Sequence, residues 1–148
     1  MKIKFILPLL LLFSLSIFAQ GGRKDKRDQV KALKVSFFTT ELNLTSDEAA
    51  KFWPVYNAFE EKQFSIRHNK MRQLINKIND MGDNISEKDA VNYLNQLEDV
   101  EEELLNLRKK LVADLKPIIG PVKVLKLRKA EDDFNKKLLA RYKERKKQ

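Results

Sequence analysis

Apolar residues recur along most of this chain at steps of three and four, the period of a helix buried on one face. Val30, Leu33, Phe37 and Phe38 form the first such stripe and predict an amphipathic helix from about Lys24 to Leu42. Asn43 and Leu44 interrupt it. A second stripe, from Phe52, Val55, Tyr56 and Phe59 through Ile66, Met71, Leu74, Ile75, Ile78 and Met81, predicts one long helix from Ser46 to about Asp80. Thr45 marks its start as N-cap, with Glu48 three residues on to close a capping box. Pro54, deep inside this helix, removes an internal hydrogen bond and is expected to bend it near Ala50 to Trp53.

Met81-Gly82-Asp83-Asn84 reads as a turn. Ser86 then caps a third helix, with Asp89 three residues on. Its apolar positions, Tyr93, Leu97, Val100, Leu104, Leu107 and Leu111, alternate steps of four and three, a sustained heptad seam. Glu98, Asp99, Glu101, Glu102 and Glu103 fill its other faces. Lys116-Pro117-Ile118-Ile119-Gly120-Pro121 forces a second break. Gly120 as N-cap and Pro121 as first helical residue start a last helix, with Val124, Leu127, Ala130, Phe134, Leu138 and Tyr142 as its stripe. The predicted fold class is all-α, with about four helices and a long antiparallel helical hairpin closed by the turn at Gly82.

The first nineteen residues follow another rule. Lys2 and Lys4 precede an apolar run from Phe5 to Phe18, and Ala19 offers a small residue for cleavage. This is the layout of a secretory signal, too short for a typical membrane span. Residues 1–19 are therefore expected to be removed, leaving 20–148 as a single helical domain outside the cytoplasm. Gln20 to about Lys26 is polar and is expected to be a mobile arm.

Composition narrows the chemistry. The chain has no Cys, which excludes disulfides, thiolate metal sites and Cys nucleophiles. His68 is the single histidine and lies among Arg67, Asn69 and Lys70, so no transition-metal site built on His is expected. The glycines form no phosphate-binding loop, and the serines lack a neighbouring base. No catalytic residue, cofactor or metal ligand is expected, and the chain is not read as an enzyme.

The formal charge is +9, and it is uneven. From Pro121 onward eleven basic residues face four acidic ones, so the chain's end is strongly cationic. Arg141, Lys143 and Arg145 there, and Arg23, Lys24 and Arg27 near the start, are candidate contacts for an anionic partner. The tail also offers contact with an anionic membrane surface. Export argues against a nucleic-acid partner. Phe52, Trp53, Tyr56 and Phe59, set around Pro54, are expected first as core and secondarily as a contact surface for another polypeptide.

The export signal, the helices, the missing Cys and the start Leu44-Thr45-Ser46-Asp47-Glu48 resemble the Spy/CpxP-type periplasmic proteins, whose hallmark is a pair of LTxxQ motifs. Glu48 stands where that motif has Gln, and the second motif falls on Ile119-Gly120-Pro121-Val122-Lys123 in degenerate form. The runs Leu44 to Phe59 and Val122 to Leu139 look most like a branch described as sensors of extracytoplasmic-function sigma factors. The resemblance implies a periplasmic location, a curved, cradle-like homodimer, and ATP-independent chaperone activity on unfolded or envelope proteins in a stress response. The alternative it implies is a sensor or regulator of an extracytoplasmic-function sigma factor pathway, acting through one specific protein partner.

Overall fold

A computed structural model describes residues 21–145, with residues 21–27, Asp83 and Arg145 described in their backbone alone. The expected export signal lies outside the described residues. The elements are α1 (Gly21–Glu41), α2 (Ser46–Ser65), a π turn (Ile66–Met71), α3 (Arg72–Met81), a short 3-10 turn (Gly82–Asn84) and α4 (Glu87–Arg145). No strand occurs among the described residues, and the all-α class stands.

α1 begins at Gly21, so the polar stretch expected as an arm is helical from that point. The helix ends in a left-handed cap. Asn43 has φ 47°, its N–H donates to the Thr40 carbonyl, and the Leu44 N–H donates to the Thr39 carbonyl. These are the two bonds of a Schellman closure, in which Asn tolerates the positive φ better than a branched residue would. The chain then turns directly into α2 through the Thr45 cap.

α2, the π turn and α3 form one continuous rod, as the apolar period requires. The sequence gives no sign of the π turn. There the Arg72 N–H reaches back five residues to the Arg67 carbonyl, which inserts one residue into the helical repeat. The apolar stripe is rotated as a result. Ile66 and Leu74 stay buried, while Ile75 is exposed. Pro54 does not interrupt the rod. Both Pro54 and Ala50, whose carbonyl loses its N–H partner, are solvent exposed, so water can satisfy the vacancy.

α4 starts as expected: the Ser86 hydroxyl accepts from the Asp89 N–H at 3.1 Å. It carries a single non-helical residue, Gly120, with φ 76° and ψ 158°. That region is open to glycine and to almost nothing else. Pro117 and Pro121 flank the break, and Pro121 sits at the first helical position after it. Arg108, twelve residues before the glycine, pairs with Glu131, eleven residues after it, so the two halves of α4 fold back on each other. A methyl group added at Gly120 would meet nothing within 4 Å. Gly120→Ala should therefore cost only backbone strain, about 1–3 kcal/mol, measurable as a lowered thermal midpoint with unchanged far-UV circular dichroism.

The core sits at one end of the molecule. It joins Phe38 of α1 and Leu42 just past its end, Phe52, Tyr56 and Phe59 of α2, Leu111, Leu115 and Ile119 before Gly120, and Val124, Leu127, Ala130 and Phe134 after it. Beyond Arg67 the rod and the first half of α4 continue side by side, linked at the surface by the Lys70–Glu103 ion pair at 2.6 Å. Ile66, Leu74 and Val100 are buried outside the main core, whereas Tyr93, Leu97 and Leu104 of the seam are only half-buried. Two helices cannot enclose one another, so this arm keeps apolar side chains in water.

Candidate functional site

The motif residues form a junction. The capping box is complete: the Glu48 N–H donates to Thr45 Oγ1 at 3.2 Å, and the Thr45 N–H donates to Glu48 Oε2 at 2.9 Å. Lys123, the last residue of the degenerate second motif, donates from Nζ to Glu48 Oε2 at 2.6 Å and to the Asn43 carbonyl at 2.8 Å. The two breaks in the chain are thus pinned together. The last positions of the two motifs meet as an ion pair, and Leu44 packs against the core beside them.

The Glu48 carboxyl is held below the usual carboxylate range, first by the Lys123 hydrogen bond and then by the Thr45 N–H. A depressed folded-state pKa contributes stability above the unfolded value and loses it as pH falls. The contribution is therefore complete at neutral pH and fades below about pH 4.5 as Glu48 takes up its proton. Lys123→Met should move the Glu48 titration, followed by NMR of its carboxyl carbon, upward toward 4.5. An unmoved titration would show that Lys123 does not engage it.

The aromatic cluster belongs to the core. Phe52, Tyr56 and Phe59 are buried and Trp53 is partly buried. Phe52 stacks on Tyr56 at 5.3 Å and meets Trp53 edge-on at 4.9 Å, while Phe38 meets Tyr56 edge-on at 5.4 Å. Phe52, Tyr56 and Phe59 thus lie in the interior, the first of the two places expected for them, and not on the contact surface that was the second. Their spacing builds the buried face of α2, which leaves no ring edge for a partner.

Below them lies a polar network. The Tyr56 hydroxyl donates to Glu131 Oε1 at 3.0 Å, and Arg108 Nη1 donates to both Glu131 oxygens at 3.0 and 2.9 Å. The Arg108 guanidinium lies 4.6 Å from the centre of the Phe59 ring. Burial pushes the Tyr56 hydroxyl far above the usual phenol range, and the charges of Glu131 and Glu60 add to it. This hydroxyl stays protonated and acts as a donor that orders the carboxylate. The arrangement is structural: the ring is enclosed, and Glu131 is committed to two partners.

The solvent-facing surfaces differ from expectation. Arg141 and Lys143 are exposed near the end of α4, and the side chains of Arg23, Lys24, Arg27 and Arg145 lie outside the described residues. The structure adds an apolar set that the sequence pattern had not marked as surface. Val91, Leu94 and Leu105 on α4 are exposed, Leu94 at 57%, and their spacing puts them on one helix face. Phe64 and Ile75 are exposed on the rod, and the His68 ring stacks on Phe64 at 4.4 Å. The available signal was phase: Val91, Leu94 and Leu105 fall off the seam that runs from Tyr93 to Leu111. No group of three or more His, Asp or Glu side chains converges as a metal site among the described residues. None of the described helices is long and apolar enough to cross a membrane.

Comparison of the chain with protein-family models, with curated proteins and with solved structures found no match.

Proposed function

We propose that this protein is an ATP-independent, chaperone-like binder of non-native polypeptides, acting in the periplasm after export and belonging to the Spy/CpxP type. The observation that carries the reading is the two-helix arm, where Ile75, Val91, Leu94 and Leu105 are exposed around a thin interior. Apolar side chains spaced along a rigid rod can take up exposed apolar segments of many clients without demanding a sequence. Charged neighbours of both signs, Lys70 and Arg72 on the rod and Glu98 to Glu103 on α4, keep such a surface soluble when empty.

The same arm supports the proposal of a homodimer with a curved, cradle-like form. A second copy could cover part of an apolar face that one chain leaves open. Sedimentation showing only monomer at micromolar concentration would count against it. The function itself is tested by light scattering. The purified protein at stoichiometric amounts should slow aggregation of several chemically denatured clients without ATP. Protection of none of them, or capture of one envelope protein alone, would replace this reading with the specific-partner alternative.

A further inference from the structure

The outer seam between α1 and the second half of α4 holds a groove of about 310 Å3. Leu33 and Phe37 from α1 and Phe134 and Leu138 from α4 supply its apolar lining. The two helices run in opposite directions. Lys123, early in that half of α4, meets Asn43 just past the end of α1, and Phe134 meets Phe37 a turn and a half back. From Leu33 to Glu41 the groove follows about 12 Å of helix axis. Two antiparallel helices with an apolar trough between them are a seat for a third.

The lips decide what kind of helix fits. On the α4 side stand Lys137 and Arg141. The Lys137 ammonium is held 4.4 Å from the centre of the Phe37 ring, at the edge of the trough. Neither cation has a carboxylate within ion-pair distance among the described residues. On the α1 side the lip is Ser36 and Thr40, neutral, with Glu41 at one end. We propose that this groove docks an amphipathic helix of a partner protein whose apolar face is flanked, on one side, by Asp or Glu. The proposal goes beyond the chaperone-like reading: the arm would hold unfolded segments, and the groove a formed helix. A second copy of this chain fits less well, because its exposed acidic face spreads Val91, Leu94 and Leu105 over about 21 Å, against about 12 Å of groove.

The test is fluorescence anisotropy with a labelled synthetic helical peptide. The peptide carries Leu at positions i, i+3, i+4 and i+7 and Glu along one flank. It should bind saturably, and replacing its Glu residues by Lys should weaken binding on the order of tenfold. The doubly reversed protein K137E/R141E, altered only at exposed positions, should lose affinity for the Glu peptide by on the order of tenfold and prefer the Lys peptide. Leu94→Ser and Leu105→Ser on the arm should leave peptide binding unchanged. Equal binding of the two peptides, no effect of K137E/R141E, or loss of binding in the arm variants would overturn the proposal. So would a K137E/R141E protein that changes from dimer to monomer where wild type binds no peptide, since the groove would then belong to a second copy. Client aggregation measured on the same variants keeps the two readings apart: peptide binding with no client protection removes the chaperone reading alone.

Discussion

Phe52→Ala should destabilise the fold by about 3–5 kcal/mol. Phe52 is 0% exposed and belongs to the core that α2 shares with α1 and both halves of α4. It stacks on Tyr56 and meets Trp53 edge-on, so its loss opens a cavity and removes two ring contacts. Domains of this size hold only about 5–15 kcal/mol in total. One ring therefore accounts for a large share of the stability, because the core occupies one end of the molecule and the arm adds little. Urea unfolding followed by the emission of Trp53, the single tryptophan, measures the change. Leu94→Ala, on the exposed face of the arm, should stay within about 0.5 kcal/mol of wild type. A Phe52→Ala cost as small as that would mean the aromatic cluster is not the centre of the fold.

Glu131→Ala should cost about 2–4 kcal/mol. The substitution leaves the Tyr56 hydroxyl without its acceptor and the Arg108 guanidinium without its carboxylate. Both losses fall in a mostly enclosed place, with the side chains of Arg108 and Glu131 only 22% and 13% exposed. Tyr56→Phe in the Glu131→Ala background should cost less than in wild type, because the hydroxyl has then already lost its partner. Glu131→Gln keeps an acceptor for Tyr56 and should fall between wild type and alanine. The network also ties the two halves of α4 together across Gly120, so its loss and Gly120→Ala act on the same fold-back. The two changes should couple when combined.

Much of this architecture is legible in the sequence, for identifiable reasons. Thr45 and Glu48 announce a capping box, and the structure makes both of its bonds. Ser86 and Asp89 do the same for α4. The Pro-Gly-Pro break at residues 117–121 locates the non-helical residue, since only glycine takes its backbone angles readily. What stayed hidden was tertiary. The π turn has no side-chain signature, because it is a register change of backbone hydrogen bonds. Pro54 lies inside α2 without ending it, and both Pro54 and Ala50, whose carbonyl it leaves without an N–H partner, are solvent exposed. The aromatic cluster was expected first as core, and Phe52, Tyr56 and Phe59 lie there. Which segments share that core, α1 and both halves of α4, is what no local pattern specifies. The Glu48–Lys123 ion pair joins positions 75 residues apart, beyond the reach of spacing arguments.

The same limit explains the candidate surface. An apolar residue off the seam is ambiguous until the number of helices around it is known. Four helical segments share the core, which still leaves Val122, Leu125 and Leu139 exposed on the second half of α4, and along the arm Val91, Leu94 and Leu105 are left outside. Function is accordingly sought on the arm, with the rings of α2 holding the framework that presents it.

The most direct test of that claim compares wild type with the triple variant V91S/L94S/L105S in the client-aggregation assay. All three positions are exposed, so the variant should keep the wild-type unfolding midpoint. The account predicts that wild type protects denatured clients at stoichiometric amounts and that the triple variant, folded and equally soluble, has lost most of that protection. Full protection by the folded variant would contradict it.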